Sequence, residues 1–112
     1  MGKYAIGEFE EVILLTVAIL YENAYGISIK QDIEKRLNRK VSVGAMRTAL
    51  SRLEKKGLLK SEFGEATAIR GGKRKRFFKV TPLGKKTLDE VMETRKKLWQ
   101  AIPPVAFDFK FA

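Results

Sequence analysis

Apolar side chains recur at spacings of three and four between positions 42 and 57. The recurring residues are Val43, Met46, Leu50 and Leu53. This spacing predicts an α-helix with one buried stripe, because residues three and four apart lie on the same helix face. Ser42 can cap the first free backbone N–H groups, and Gly57 can adopt the left-handed conformation that follows many helices.

The rest of this helix surface is small, polar or basic. It carries Gly44, Ala45, Thr48, Ser51 and Lys55, with Arg47 and Arg52 at the margins. Small residues let a helix backbone approach a partner closely, and arginine can donate paired hydrogen bonds to a base edge or a phosphate. Taken alone, such a pattern is more often an ordinary amphipathic helix whose charged face meets water.

The first predicted helix, residues 8–22, is apolar on two sides. Such a helix is buried on two sides, either by a second subunit or by the chain's other helices. We expect a subunit contact that includes Ile13, Val17 and Leu20. Residues 23–27 then form a turn, with Gly26 as its expected left-handed residue.

A second helix is predicted to begin at Ser28, because Gln31 three residues later completes a capping-box pattern. Its expected buried stripe is Ile29, Ile33 and Leu37. Two short helices separated by a few polar residues, the second basic on its outer face, form a helix-turn-helix pattern. Any αα-hairpin looks similar, so this signal is weak by itself.

Beyond Gly57, residues 58–65 and 76–81 form two short apolar runs that predict a β-hairpin with a long tip. Its basic residues include Arg70, Lys73, Arg74, Lys75 and Arg76. Such a charge run can simply be a solubilising loop. Directly after a helix-turn-helix, however, it predicts a wing that lies along phosphates while the preceding helix enters the major groove.

Thr81 and Pro82 predict the N-terminus of the last helix, which Pro103 and Pro104 end. One side of this helix has residues spaced alternately four and three apart, a period suited to packing against a partner helix. These residues are Gly84, Leu88, Val91, Arg95, Leu98 and Ile102. Arg95 among them requires an acidic neighbour. The expected dimer contacts of this helix are Leu88, Val91, Leu98 and Ile102. The tail, residues 103–112, has phenylalanines at period two and is either a frayed terminus or a short strand or motif docked on the body.

Composition narrows the function. The chain has 112 residues, no cysteine and no histidine, which excludes disulfides, the commonest zinc sites and nucleophile–histidine catalysis. We therefore expect no enzyme, no metal and no cofactor. The longest apolar run is too short for a membrane span, so we expect a cytoplasmic protein without membrane contact. The net charge is +10, and half of this excess lies in residues 57–80, which indicates nucleic acid as the partner.

The chain contains the segments AYGISIKQDIE, SVGAMRTALSRLEKKGLL and GGKRKRFFKVTPLGKKTL. Together these segments resemble the PadR family of winged-helix transcriptional regulators. The resemblance implies an α+β, mostly helical winged helix-turn-helix over residues 1–81 and a C-terminal dimerisation helix over residues 82–102. It also implies a homodimer. Where the family usually has a Tyr-Pro pair, this chain has Arg47 and Thr48, which indicates different operators.

In some PadR members a flat hydrophobic compound binds near the dimer interface and weakens DNA binding. By this resemblance Met92, Trp99 and the first helix would line a site for a small hydrophobic effector. A buried Trp and Met are, however, more often explained by ordinary packing.

The sequence thus predicts a homodimeric regulator, acting as a repressor, that binds double-stranded DNA at an inverted-repeat operator. The expected base-reading residues are Ser42, Gly44, Ala45, Arg47, Thr48 and Ser51. Arg52 and Lys55 are expected at the helix margin or on the DNA backbone. The alternative is a winged-helix module that binds protein or RNA without reading DNA sequence.

Overall fold

The computed structural model describes residues 6–64 and 74–111. Along these residues lie α1 (Glu8–Leu20), α2 (Gly26–Leu37), α3 (Val43–Lys55), β1 (Leu59–Phe63), β2 (Arg76–Val80) and α4 (Pro82–Ala101). Short 3₁₀ turns occur at Tyr21–Asn23, Pro104–Phe107 and Phe109–Phe111. The strands β1 and β2 are antiparallel, with Leu59 opposite Val80 and Phe63 opposite Arg76. The predicted winged helix-turn-helix, mostly helical with a small sheet, is confirmed.

The ends of α3 and α4 lie where their capping residues predict. The Ala45 backbone N–H donates to Ser42 Oγ at 3.2 Å, and Gly57 after the helix has a φ of 78°. At α4, the Gly84 N–H donates to Thr81 Oγ1 at 3.0 Å and Pro82 is the first helical residue. These caps depend on neighbouring residues alone, which is why the sequence predicts them well.

The start of α2 differs from the prediction. The helix begins at Gly26, and Ser28 lies inside its first turn, where its Oγ accepts from the Tyr25 N–H at 3.0 Å. Gly26 is helical, and the residues with positive φ after α1 and α2 are Tyr21 and Asn38, of which Asn38 is in the left-handed helical region. The physical reason is that Tyr25, rather than Ser28, is the N-cap, and Ser28 three residues later completes the capping box with it. The sheet keeps the preceding residues extended, because the Phe78 N–H donates to the Ala24 carbonyl at 2.8 Å.

The core forms around α1, which packs against α2, α3, β2 and α4. Ile13, Leu14 and Val17 are at most 1% exposed. The expectation that Ile13 and Val17 contact a second subunit is therefore wrong, because the chain's own elements cover them. Leu88 of α4 belongs to the same core and is likewise not available at the surface. On α1, Leu20 stays partly exposed and Ile19 is exposed.

Two residues expected in buried stripes are exposed instead. Val43 is 46% exposed and Leu37 is 47% exposed, whereas Met46, Leu50, Leu53, Ile29 and Ile33 are buried. Val43 is the first residue of α3 and Leu37 is the last of α2. Both flank the turn between the two helices, at the edge of the core, so their helical period alone does not bury them.

Arg95 has the acidic neighbour that the sequence requires. Its Nη2 lies 2.9 Å from Glu11 Oε2, and this ion pair joins α4 to α1. The adjacent Glu10 pairs with Lys56 at the end of α3, at 2.8 Å. Two carboxylates of one helix turn therefore fix α1 to the elements that follow it, and the pairing holds the pKa of the Arg95 guanidinium above its ordinary value.

The C-terminal helix approaches the body closely at Gly84. A Cβ at this position would lie 2.2 Å from the Leu58 carbonyl oxygen and 2.8 Å from Val80 Cγ1. The Thr81 hydroxyl completes the junction, because it donates to the Gly57 carbonyl at 2.6 Å. Only glycine fits here, so the start of α4 is fixed against the loop between α3 and β1.

Candidate nucleic-acid interface

The eight residues expected at the base-reading helix lie on one exposed surface, formed by α3 and its N-cap residue. We call six of them, Ser42, Gly44, Ala45, Arg47, Thr48 and Ser51, the reading face; Arg52 and Lys55 lie at its margin and are exposed too. The opposite stripe of Met46, Ala49, Leu50 and Leu53 is buried in the core. A Cβ at Gly44 would meet only Ser42 Oγ, at 3.7 Å, so this face is open to an incoming partner.

A groove of about 500 Å³ separates the reading face from the wing and from the start of α2. Its basic lining residues are Lys30, Arg47, Lys75 and Arg76, and its apolar lining residues include Ile27, Val43, Met46 and Phe78. Cations from three elements thus surround one concave, partly apolar surface. Such a surface suits a polyanion that also presents apolar edges.

Arg76 is directed at α3 rather than away from the protein. Its Nη2 lies 2.6 Å from Glu54 Oε1, and its Nε donates to Ser61 Oγ at 2.9 Å. The Ser61 hydroxyl in turn donates to Glu54 Oε2 at 2.6 Å. These three side chains join α3, β1 and β2. The expected role of Arg76 as a phosphate contact is therefore reduced, because a carboxylate already neutralises it.

Glu54 and Ser61 were not among the residues that the sequence singles out. A lone acidic residue in the last turn of a basic helix is a weak signal, and its pairing with Arg76 spans 22 positions. Nothing in the local pattern gives that pairing. The sequence indicates only that Glu54 needs a cationic partner, because a carboxylate beside a nucleic-acid surface must be neutralised.

The other wing residues have different surroundings. Arg74 is exposed, and no carboxylate of the described residues lies within ion-pair distance of it. Lys75 Nζ lies 4.1 Å from the centre of the Tyr25 ring, a cation–π contact between the wing and the start of α2. The Tyr25 ring also meets Phe77 edge-on, at 5.5 Å. Arg70 and Lys73 lie outside the described residues.

The turn between α2 and α3 is fixed by Glu34. Its Oε2 accepts from the Val41 backbone N–H at 3.0 Å, and both carboxylate oxygens accept from Lys30 Nζ at 3.0 Å. The Val41 N–H and then the Lys30 ammonium hold the pKa of Glu34 below its ordinary value, since both favour the charged form. Val41 directly precedes the Ser42 cap, so Glu34 sets where the reading face begins.

A second exposed surface is apolar and lies on the distal part of α4 and the tail. Its exposed members are Met92, Leu98, Trp99, Val105, Phe107 and Phe109. The rings of Trp99 and Phe107 are 6.4 Å apart, and those of Phe107 and Phe109 are 6.3 Å apart. The tail thus folds back on α4 in 3₁₀ turns and is not a strand. Val91 and Ile102, also expected at the dimer interface, are half-buried.

No group of three or more acidic side chains with metal-site spacing occurs among residues 6–64 and 74–111. Over the same residues, none of the helices combines the length and the apolar character needed to cross a bilayer.

Solved structures with the same fold include several transcriptional regulators. A PadR-like transcription factor from Bacteroides fragilis is 29% identical, with 82% of this chain and 84% of that chain covered and a TM-score of 0.69. A PadR family transcription regulator from Clostridium difficile is 27% identical, with 80% and 91% covered and a TM-score of 0.63. A transcriptional regulator from Clostridium thermocellum is 26% identical, with 84% and 92% covered and a TM-score of 0.65.

No curated protein matches the chain. The model of the transcriptional regulator PadR-like family matches residues 14–90, which is well over half of the 112 residues. These residues run from the middle of α1, through the reading face and β2, to the middle of α4. The chain therefore belongs to the PadR-like family of DNA-binding winged-helix transcriptional regulators.

Proposed function

We propose that the protein is a homodimeric, sequence-specific DNA-binding regulator that acts as a repressor. Each subunit inserts the reading face of α3 into a major groove, and the two half-sites form an inverted repeat. If a two-fold axis relates the subunits, the half-site centres are about 10 base pairs, or a multiple of this, apart.

The observation that carries this proposal is the fixed relation of the reading face to a basic wing. Arg47, Thr48 and Ser51 stand on the exposed surface of α3, and the wing is held to the same helix through Glu54. A helix and a hairpin in a fixed relation can contact base edges and phosphates at the same time. Phosphate contacts then set the register in which the helix meets the bases.

The exposed apolar surface of α4 supports the homodimer. Leu98 is 67% exposed and Trp99 is 71% exposed, and aromatic residues of the tail continue the same surface. Apolar patches of this kind on a small protein mark interaction sites. We assign the contacts between the two subunits to Leu20, Val91, Leu98 and Ile102. A small hydrophobic effector would bind against Met92 and Trp99.

Selection of bound sequences from a random duplex pool tests the proposal. We expect enrichment of an inverted repeat, and an affinity for the selected site at least ~10³-fold above that for random duplex at about 150 mM salt. A matched protein carrying Arg47→Ala should enrich a site that has lost one specified position in each half.

Two results would contradict it. A specificity ratio near one would favour the alternative, a winged-helix module for protein or RNA. An enriched site with no internal symmetry, together with a monomer in light scattering, would show that the protein binds DNA as a monomer at a single site. Repression itself is tested by placing the selected operator across a promoter and measuring transcript with and without the protein.

A further inference from the structure

We propose that Val43 contacts the 5-methyl group of one thymine in each half-site and thereby specifies a T·A pair. The inference rests on the proposed function, because it concerns the same reading face. It adds a branched apolar reader to a surface whose other expected readers are small, polar or charged.

Val43 is the first residue of α3, and the N-terminal residues of a recognition helix are those that reach base edges. Its helical period assigns it to the buried stripe, yet 46% of the residue is exposed. Because Val43 and Arg47 are four residues apart, their side chains are neighbours on one helix face. Gly44 and Ala45 beside it are exposed and small, so nothing on α3 holds the Val43 methyl groups away from a partner.

The surroundings favour a DNA base over another apolar partner. Val43 lines the groove together with Ile27, which is 51% exposed, and the buried Met46 forms part of the same lining. Two cations of this lining, Lys30 and Arg76, are paired with Glu34 and Glu54. Arg47 and Lys75 form no ion pair with a described residue, so the positive charge beside Val43 comes from these two. An exposed apolar side chain flanked by cations suits the major groove, where phosphates flank the thymine methyl group.

The position of the thymine follows from helix geometry. One helical turn advances about 5.4 Å, and base pairs are spaced about 3.4 Å apart. A helix lying along the groove therefore places the Val43 contact within about two base pairs of the position that Arg47 reads. The selected half-site should contain a T·A pair there.

The test replaces each thymine of the selected operator, one at a time, by deoxyuridine, which removes only the methyl group. With the unmodified protein, one replacement per half-site should weaken binding by about fourfold, which is the change in affinity expected when one buried methyl group is lost. Val43→Ala should bind the thymine operator about fourfold more weakly, and deoxyuridine at that position should cause no further loss. Leu37→Ala is the matched control, since it removes an equally exposed aliphatic side chain from the end of α2.

The outcomes distinguish failure of the proposed function from failure of the Val43 contact. If no operator is enriched, the proposed function fails and this inference with it. If an operator is enriched but no thymine position is sensitive to its methyl group, only the inference fails. It also fails if Val43→Ala retains the same methyl sensitivity, or if Leu37→Ala abolishes it. Circular dichroism melting of both variants confirms that a lost effect does not come from unfolding.

Discussion

The Arg76 guanidinium lies 2.6 Å from the Glu54 carboxylate and joins the second wing strand to the last turn of α3. The wing's orientation relative to the reading face therefore depends on an ion pair between two elements that are separate in sequence, a basic hairpin and an amphipathic helix. Both side chains are partly exposed, so the pair contributes only about 0.2–1 kcal/mol to folding. Its main effect is on alignment.

This pairing predicts different salt dependences for two neighbouring arginines. Arg74→Ala should reduce the slope of log affinity against log salt by about 0.9, because one phosphate contact is lost. Arg76→Ala should reduce it by less, since Glu54 already neutralises Arg76 in the free protein. Titrations of the operator at several salt concentrations measure both slopes. Equal reductions would show that Arg76 leaves Glu54 when DNA binds.

Arg47 is expected to read one base pair. Arg47→Ala should weaken operator binding by about 1–3 kcal/mol and relax the preference at one position per half-site. Lys55→Ala, at the margin of α3, is the matched control and should weaken all sequences alike. Competition binding with single-base operator variants measures both. Unchanged selectivity in Arg47→Ala would remove the base-reading assignment.

Gly84→Ala should destabilise the fold. A Cβ at this position would lie 2.2 Å from the Leu58 carbonyl oxygen, which is backbone and cannot move aside freely. Forcing a carbon into such a contact costs about 1–3 kcal/mol of unfolding free energy. Denaturant unfolding measures the loss, and Gly7→Ala, where nothing lies near the added carbon, is the control. Equal stabilities would mean that α4 shifts without cost.

The turn before α3 should weaken in acid. The pKa of Glu34 is lowered in the folded chain, so its stabilising effect is complete above the ordinary value of 4.5 and is lost as the pH falls through the lowered value. Glu34→Gln keeps an oxygen acceptor but cannot titrate. We expect this variant to melt below the unmodified protein at neutral pH, with the difference vanishing in acid. A difference that is constant across this range would contradict the assignment.

Leu98→Glu should dissociate the proposed dimer. The side chain is exposed in one chain, and a carboxylate placed there would be buried without a partner in a dimer. Light scattering at micromolar concentration should give twice the 12.7 kDa of one chain for the unmodified protein and a single chain for the variant. Gln100→Glu adds the same charge to the same helix and should remain dimeric. A monomeric unmodified protein would contradict the proposal.

The sequence by itself determined the features that depend on near neighbours. Ser42, Gly57 and Thr81 mark helix ends through hydrogen bonds and backbone conformations within a few residues. The periods of three and four in α3 were enough to predict the reading face, and three quoted segments of the sequence carried the family resemblance. The sequence also predicted that Arg95 needs a carboxylate nearby, although it did not identify Glu11 as the partner.

The tertiary structure alone decided which apolar surfaces are covered. A helix that is apolar on two sides, such as α1, fits either the chain's own core or a second subunit, and only the packing of α2, α3 and α4 puts Ile13 and Val17 in the core. The same holds for Val43, whose period indicates burial while its place at the edge of the core exposes it. Burial is a property of segments distant in sequence that meet in space, so helical periodicity cannot supply it.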